Sequence, residues 1–374
     1  MEKQDGQTNG QTFISMFKKI DAYIIKRYLM TFFVMLLLFI PIGIMVDVAE
    51  KIDKFKENEV PISEIVSYYI DFMWYFGNLL FPIFLFLAVI WFTSKLANNT
   101  EVIAILSSGI SFNRFLRPYF VSASMIAVFA FFAGMFIVPG ASEGFNEFSF
   151  KYLKKRKNDR QTTNLFKQIN KKEFIYVSSY SPSRLRGLDF ALEHFEGDSL
   201  TFKIMAQSIR WVERDTVFRL LNYKKRIIDG DQERYETENS KDTLFDFEIQ
   251  DLAPLNYKAE TLSMFELNDF IASEERSGSV MINQHLLVRH KRYSIPVSAF
   301  ILTIIAVAVA SFKRRGGMGV NLAFGITLGF IFIFFDKIFG VLVAKSNFSP
   351  VLAAWLPLAI FGLLAIGLLN YAKR

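Results

Sequence analysis

The chain has no cysteine and only three histidines among its 374 residues. The first absence excludes disulfides and thiol chemistry without revealing the compartment. Three histidines without cysteine leave no credible metal centre, so no metal or cofactor is expected, and His285 and His290 read as surface residues. Also missing are a Gly-x-x-x-x-Gly-Lys-(Ser/Thr) loop, a glycine-rich dinucleotide turn, a nucleophile elbow and a zinc-binding His/Glu motif. The chain therefore has no P-loop in which to cradle ATP, and a transport or binding component fits better than an enzyme. A catalytic set assembled from distant residues stays open. No nucleic-acid partner is expected.

Charge is missing from long stretches as well. Hydrophobic residues make up 52% of the chain, with 42 phenylalanines, and the mean hydropathy is positive. A helix needs about 20 apolar residues to cross a bilayer. Six uncharged runs approach or exceed that length: Tyr28–Val46, Phe72–Ser94, Pro118–Ser142, Tyr293–Phe312, Gly316–Phe335 and Ser346–Ala372. Before the first, Ile20, Tyr23, Ile24 and Tyr28 share one helical face, the pattern of an interfacial helix. Residues 1–15 are polar and read as a disordered tail.

The middle of the chain breaks this pattern. From residue 144 to residue 269 charge is dense and no run could span a membrane. Short alternating segments read as strands: Phe174–Val177, Leu188–Phe195, Leu200–Trp211, Val217–Ile227 and Thr243–Phe247. Ser181-Pro182-Ser183, Gly197-Asp198 and Asp229-Gly230-Asp231 read as turns between them. Such spacing suits an antiparallel sandwich or jelly roll. Phe190, Leu192, Phe202 and Ile204 would point inward and Lys203 outward. The expected fold is thus a helical membrane protein, three spans plus three, with an inserted all-β domain. Its parts are residues 16–143 with spans one to three, residues 144–269 with the β domain, and residues 270–374 with a linker and spans four to six.

Basic residues in short loops mark the cytoplasmic side. With the amino terminus inside, the inner segments hold thirteen Lys and Arg and the short outer loops hold four, Lys51, Lys54, Lys56 and Lys345. The flanks of the β domain add nine more outside: Lys151, Lys154, Lys155, Arg156, Lys157, Arg160, Arg289, Lys291 and Arg292. Long translocated domains are largely exempt from the rule, so this orientation stands with the β domain outside. Those nine charges are either a solvated basic neck or a positive collar suited to lipid phosphates.

One inner loop stands out. In Asn98–Arg114, Asn99 or Thr100 can cap a short helix, with Glu101 beside the positive end of its dipole. Val102, Ile105 and Leu106 form an apolar stripe, and Gly109 supplies the C′ residue. About eight residues cannot hold a helix alone. The stretch is either a turn packed on its own spans or a knob for a cytosolic partner.

Asn99-Thr100-Glu101-Val102-Ile103-Ala104-Ile105-Leu106-Ser107-Ser108-Gly109 resembles the (S/N)-x-E-(L/V)-x-x-(M/L)-x-(A/S)-S-G segment of the LptF/LptG permeases, membrane subunits of the lipopolysaccharide export ABC transporter. Four further segments resemble the same family in the same order: Asp21–Tyr28 before span one, Arg292–Pro296 at span four, Arg315–Gly319 between spans four and five, and Phe335–Gly340 late in span five. The last leans toward the LptG branch. The likeness covers nearly the whole chain, although no motif within the β domain matches residue by residue.

This resemblance implies a permease subunit in the inner membrane of a Gram-negative cell, with both termini cytoplasmic and the β domain periplasmic. It implies a soluble ATPase dimer (LptB-like), a second permease subunit (LptF-like), periplasmic jelly-roll partners (LptC/LptA-like) and lipopolysaccharide as cargo. Glu101, Val102, Ile105 and Leu106 would couple to the ATPase. Spans one and five would line lateral gates, which places Lys51, Lys54, Asp336 and Lys337, with Arg289 and Arg292 of the collar, near a passing headgroup. Asp336 and Lys337 point about 100° apart on a helix and cannot simply pair with each other. They would snorkel to the interface, or one would face a central cavity. The rival readings are a membrane-anchored binding or scaffold protein without transport activity, and a lipid-modifying membrane enzyme.

Overall fold

The computed structural model describes residues 19–153, 163–170, 172–181, 184–212, 217–230, 232–245, 247, 257–276, 278, 279, 281–312 and 317–373. The tail 1–15, the collar residues Lys154, Lys155, Arg156, Lys157 and Arg160, the loop residues Lys313, Arg314 and Arg315, and the turn residues Pro182, Ser183 and Asp231 lie outside them. The described residues fall into two compact units. One joins the residues up to Asp53 with Pro61–Ser142 and with Leu287 onward; the other joins Lys54–Val60 with Glu143–Leu286.

The first unit is helical. Its long elements are α1 (Lys19–Glu57), α2 (Ile62–Asn98), α4 (Phe112–Leu153), α7 (Ile282–Ala310), α8 (Gly317–Ser346) and α9 (Pro350–Ala372), of which the end of α1, the end of α4 and the start of α7 belong to the second unit. All six are long and apolar enough to cross a membrane. They overrun the uncharged runs that announce them. The expected interfacial segment is continuous with span one in a single helix of 39 residues, and α4 continues to Leu153, beyond the expected domain border at Gly144. These flanks hold no proline and a single glycine, Gly144, which weakens a helix without ending it, and charged residues extend a helix as readily as apolar ones. Two π-helical turns, Ala133–Ile137 and Ser149–Leu153, widen α4.

Helix α2 sits at the centre, with 72% of its most apolar stretch buried, and α7 follows with 67%. Several polar side chains inside this core pair across helices, because a lone polar group in an apolar medium is costly. Tyr28 Oη and Thr303 Oγ1 share a hydrogen bond of 2.7 Å, Thr93 and Tyr119 one of 3.1 Å, and Asn321 Nδ2 donates to Ser94 Oγ at 3.2 Å. Helix α8 packs closely on α2 through Gly325, where a Cβ would come within 2.3 Å of Ile90 Cδ1. By contrast only 6% of the most apolar stretch of α1 and 17% of that of α8 are buried.

The second unit carries one antiparallel sheet whose six strands pair in chain order: β1 (Thr163–Gln168), β2 (Glu173–Ser181), β3 (Arg186–Glu196), β4 (Ser199–Val212), β5 (Val217–Asp229) and β6 (Gln232–Thr243). Such a meander is only loosely a jelly roll. Ile175, Leu192 and Ile204 stand opposite one another across β2–β4, as do Val177, Phe190 and Ala206. Phe190 and Leu192 are buried in the apolar face, and Phe202 and Ile204 pack half-buried against it. Lys203 points to the other face and pairs with Glu193 at 2.7 Å.

Two of these strands, β1 and β6, have no counterpart in the pattern of apolar alternation. Of Thr243–Phe247, expected as a strand, Thr243 ends β6, Asp246 lies outside the described residues, and Phe245 and Phe247 stack at 5.1 Å and cover Phe218 of β5. Apolar residues there serve as a lid for the sheet face, which explains their alternation without a strand. Beyond them come α5 (Lys258–Thr261) and α6 (Met264–Arg276). His285 is not a surface residue. It is 1% exposed, its ring 5.0 Å from that of Phe270 on the buried side of α6, and 3.9 Å from Glu274. His290 is half-buried.

Candidate functional site

Helix α3 (Glu101–Ser107) links α2 to α4. Thr100 occupies its N-cap with φ 61°, and the Thr100 hydroxyl donates to the Asn99 carbonyl at 2.6 Å, so no side chain caps the helix. The expected cap is replaced by a carboxylate latch. Glu101 accepts from Asn99 Nδ2 at 3.1 Å through one oxygen and from Tyr23 Oη of α1 at 3.0 Å through the other. At the far end Gly109 has φ 87°, a left-handed conformation that favours glycine, as expected of a C′ residue.

The apolar stripe of α3 faces its own protein. Val102 is 1% exposed, and Ile105 and Leu106 pack half-buried on the helical core. From this position Val102 cannot touch a partner, and its part in the stretch is to anchor the helix. The face left open comprises Ile103, 51% exposed, together with Ala104, Ser107 and Ser108. Reading the stripe alone missed this, because amphipathicity says which residues share a face and not which of two apolar neighbours that face meets.

A second tie beside α3 also escaped the sequence reading. Arg114, in the first turn of α4, donates from Nη1 and Nη2 to the two carboxylate oxygens of Asp21 on α1. Asp21 is 3% exposed. With the Tyr23–Glu101 bond this fixes the beginnings of α1, α3 and α4 against one another.

The six residues expected near a headgroup do not form one cluster. Lys51 donates to Asp47 and to Tyr68 Oη, while Tyr68 and Tyr69 both donate to Asp47 Oδ2, at 3.1 and 3.3 Å. Its charge is thus neutralised inside a small aromatic network joining α1 to α2. Lys54 is exposed and belongs to the second unit. Asp336 finds its partner in Lys291 of the collar, whose Nζ stands 2.8 Å from Asp336 Oδ2 and ties α7 to α8. Lys337 is exposed, Arg289 half-buried, and Arg292 only 8% exposed. Among the described residues no group of His, Asp and Glu could hold a metal ion.

The comparison with known proteins covers the same ground. Residues 22–371 match the family described as "Lipopolysaccharide export system permease LptF/LptG". Two curated relatives, the lipopolysaccharide export system permease protein LptG of Escherichia coli strain K12 and that of Escherichia coli O6:H1, are each 30% identical to the chain over 111 residues. That stretch is 29% of this chain and 31% of each relative, so the alignment spans about a third of the curated proteins it matches.

Proposed function

This chain belongs to the LptF/LptG family of lipopolysaccharide export system permeases, and on that premise we propose that it is the membrane subunit of an ABC exporter, closer to the LptG branch. It would draw lipopolysaccharide from the outer leaflet of the inner membrane and pass it to a periplasmic bridge. Hydrolysis of ATP falls to a separate soluble ATPase dimer. The β domain lies in the periplasm and both termini in the cytoplasm, as the charge of the short loops favours.

The observation that carries this reading is the construction of α3. A helix of seven residues is too short to persist alone. Here it is pinned from within by Val102 and from the side by Tyr23, and it presents a small apolar face. Such a knob can transmit a push from a docked ATPase into α1, α2 and α4 without itself deforming. The exposed apolar faces of α1 and α8 would be covered by lipid and by a second, LptF-like permease, leaving a path for the lipid between them. The Lys291–Asp336 pair, with Lys337 and Arg289 nearby in sequence, lies where a phosphorylated headgroup would pass. The apolar face of the meander would receive acyl chains or dock an LptC/LptA-like jelly roll by its free edges.

Copurification tests the proposal. The detergent-solubilised chain, expressed with its neighbours, should bring down a soluble P-loop ATPase. Retention of periplasmic β proteins without any ATPase would replace the exporter with a membrane-anchored scaffold.

A further inference from the structure

Helix α6 ends in a glycine-stopped turn that leads straight into α7. Gly278 has φ 64°, and its N–H donates to the Glu275 carbonyl at 3.2 Å. The Ser279 N–H donates to the Glu274 carbonyl at 3.0 Å, and the two bonds together close the C-terminus of α6. The Ser279 carbonyl then accepts from the Ile282 N–H at 3.2 Å, so α7 begins at once. The result is a helical hairpin, with the last turn of α6 against the first turn of α7. Apolar side chains close it, and Leu267, Ile271 and Met281 are all buried.

Two ionisable side chains are shut inside this hairpin, His285 from α7 and Glu274 from α6, 1% and 7% exposed. His285 Nε2 and Glu274 Oε2 stand 3.9 Å apart, too far for a hydrogen bond. Neither ring nitrogen of His285 has a hydrogen-bond partner among the described residues. On the α6 side the imidazole also meets the Phe270 ring. Such a site suits a neutral imidazole and disfavours an imidazolium. Among the described residues Glu274 is the one charged group that acts on the ring. Asp269, Glu275 and Arg276 of α6 are exposed, and Arg289, one turn along α7, bears on His290 instead. Burial outweighs the field of Glu274 and holds the imidazole below its ordinary value of 6.5.

A proton on His285 has no hydrogen-bond acceptor in the closed hairpin and finds one in water once the hairpin opens. The open form therefore binds more protons than the closed form. By linkage the closed form is favoured above pH 6.5 and loses ground as the pH falls below it. We propose that His285 makes the α6–α7 hairpin a proton-operated joint: uptake of one proton by its ring releases α6 from the start of α7 and frees the chain segment between the sheet and span four. Helix α6 is the last element before α7, and His285 precedes the uncharged run of span four by eight residues. On the orientation proposed above, the ring would answer to periplasmic pH. The release itself depends neither on that orientation nor on what the protein transports, so it is measured on the purified chain.

With three histidines in the chain, carbon-13-labelled histidine gives three ring signals in the detergent-solubilised full-length protein, assigned with His194→Gln and His290→Gln. The His285 signal should titrate below 6.5. Over the same range the protection of amides 270–276, taken relative to intrinsic exchange, should fall by up to about tenfold per pH unit, as uptake of one proton requires. His285→Phe keeps a ring in the contact without a proton site, and there the protection should hold constant. His290→Gln should leave the fall in place. A His285 midpoint at or above 6.5, constant protection in the parent, or an equal fall in His285→Phe would overturn the joint. If His285→Phe does not fold, Glu274→Gln decides. It removes the one field that favours the imidazolium, so the His285 midpoint should drop further and the loss of protection should extend to lower pH. An unmoved or raised midpoint in that variant would overturn the joint equally.

Discussion

Arg114 grips both carboxylate oxygens of Asp21, its terminal nitrogens at 2.7 and 2.6 Å, and so closes the start of α4 onto the start of α1. Asp21 is almost wholly buried, while the Arg114 side chain keeps 26% exposure. Removing one member of a buried pair strands the other charge and costs about 3–5 kcal/mol; the partial exposure of Arg114 puts this pair at the lower end. Asp21→Ala and Arg114→Ala should each lower the thermal midpoint of the purified protein. The double variant should be no worse than either alone, because the two residues act as one unit. Additive losses would show that the pair is not coupled.

Glu101 and Ile103 should separate by assay. Ile103→Ala removes an exposed apolar group and should weaken ATPase association by about 1 kcal/mol or more, leaving the thermal midpoint unchanged. Val102→Ala should do the reverse, lowering the midpoint through loss of buried packing. Glu101→Gln should free the Tyr23 hydroxyl only in part, whereas Glu101→Lys puts a cation near Arg27 and should impair both coupling and α1 packing. Pull-down with the ATPase and differential scanning fluorimetry on each variant check the set.

Gly325→Ala should separate α2 from α8. The new methyl group would stand 2.3 Å from Ile90 Cδ1, so the fully buried Ile90 side chain has to shift. Overpacking of this kind costs about 1–3 kcal/mol. Ile90→Val in the same chain removes the offending carbon and should restore much of the loss, read as recovery of the folded fraction in detergent.

Topology can be read directly in a chain without cysteine. Ser240→Cys on the exposed strand β6 should react with an impermeant maleimide once the outer membrane is permeabilised, and Ser108→Cys should not. The opposite pattern would invert the orientation and remove the basis for a periplasmic β domain.

Helix α6 offers a pH test. The Ser263 backbone N–H donates to Glu266 Oε2 at 2.8 Å, a capping arrangement that, with the Ser263 side chain, holds the Glu266 carboxyl below its ordinary value of 4.5. A carboxylate with a depressed pKa stabilises the fold above its unfolded value and loses that contribution as pH falls through the folded one. Protection of the amides in the first turn of α6, taken relative to their intrinsic exchange rate, should therefore fall as the pH drops below 4.5. In Glu266→Gln the exchange should be faster at neutral pH and lose this dependence.

The six spans, the intervening β domain and the glycine stop after α3 were legible in the sequence. Each rests on a local pattern: uncharged length, period-two alternation, or a residue type that tolerates a positive φ. Strand β6 was not legible, since Gln232–Thr243 is polar and exposed throughout most of its length and becomes a strand only by pairing with β5. The ties of Asp21 to Arg114, Tyr23 to Glu101 and Lys291 to Asp336 were equally hidden. Their partners are 93, 78 and 45 residues apart, and nothing local distinguishes a charge with a distant partner from one facing water. The burial of His285 and the inward turn of Val102 belong with them. Sequence determined which residues share a helix or strand and which face is apolar, because those properties repeat along the chain. Only the tertiary structure decided what each face meets, because that depends on segments brought together from far apart.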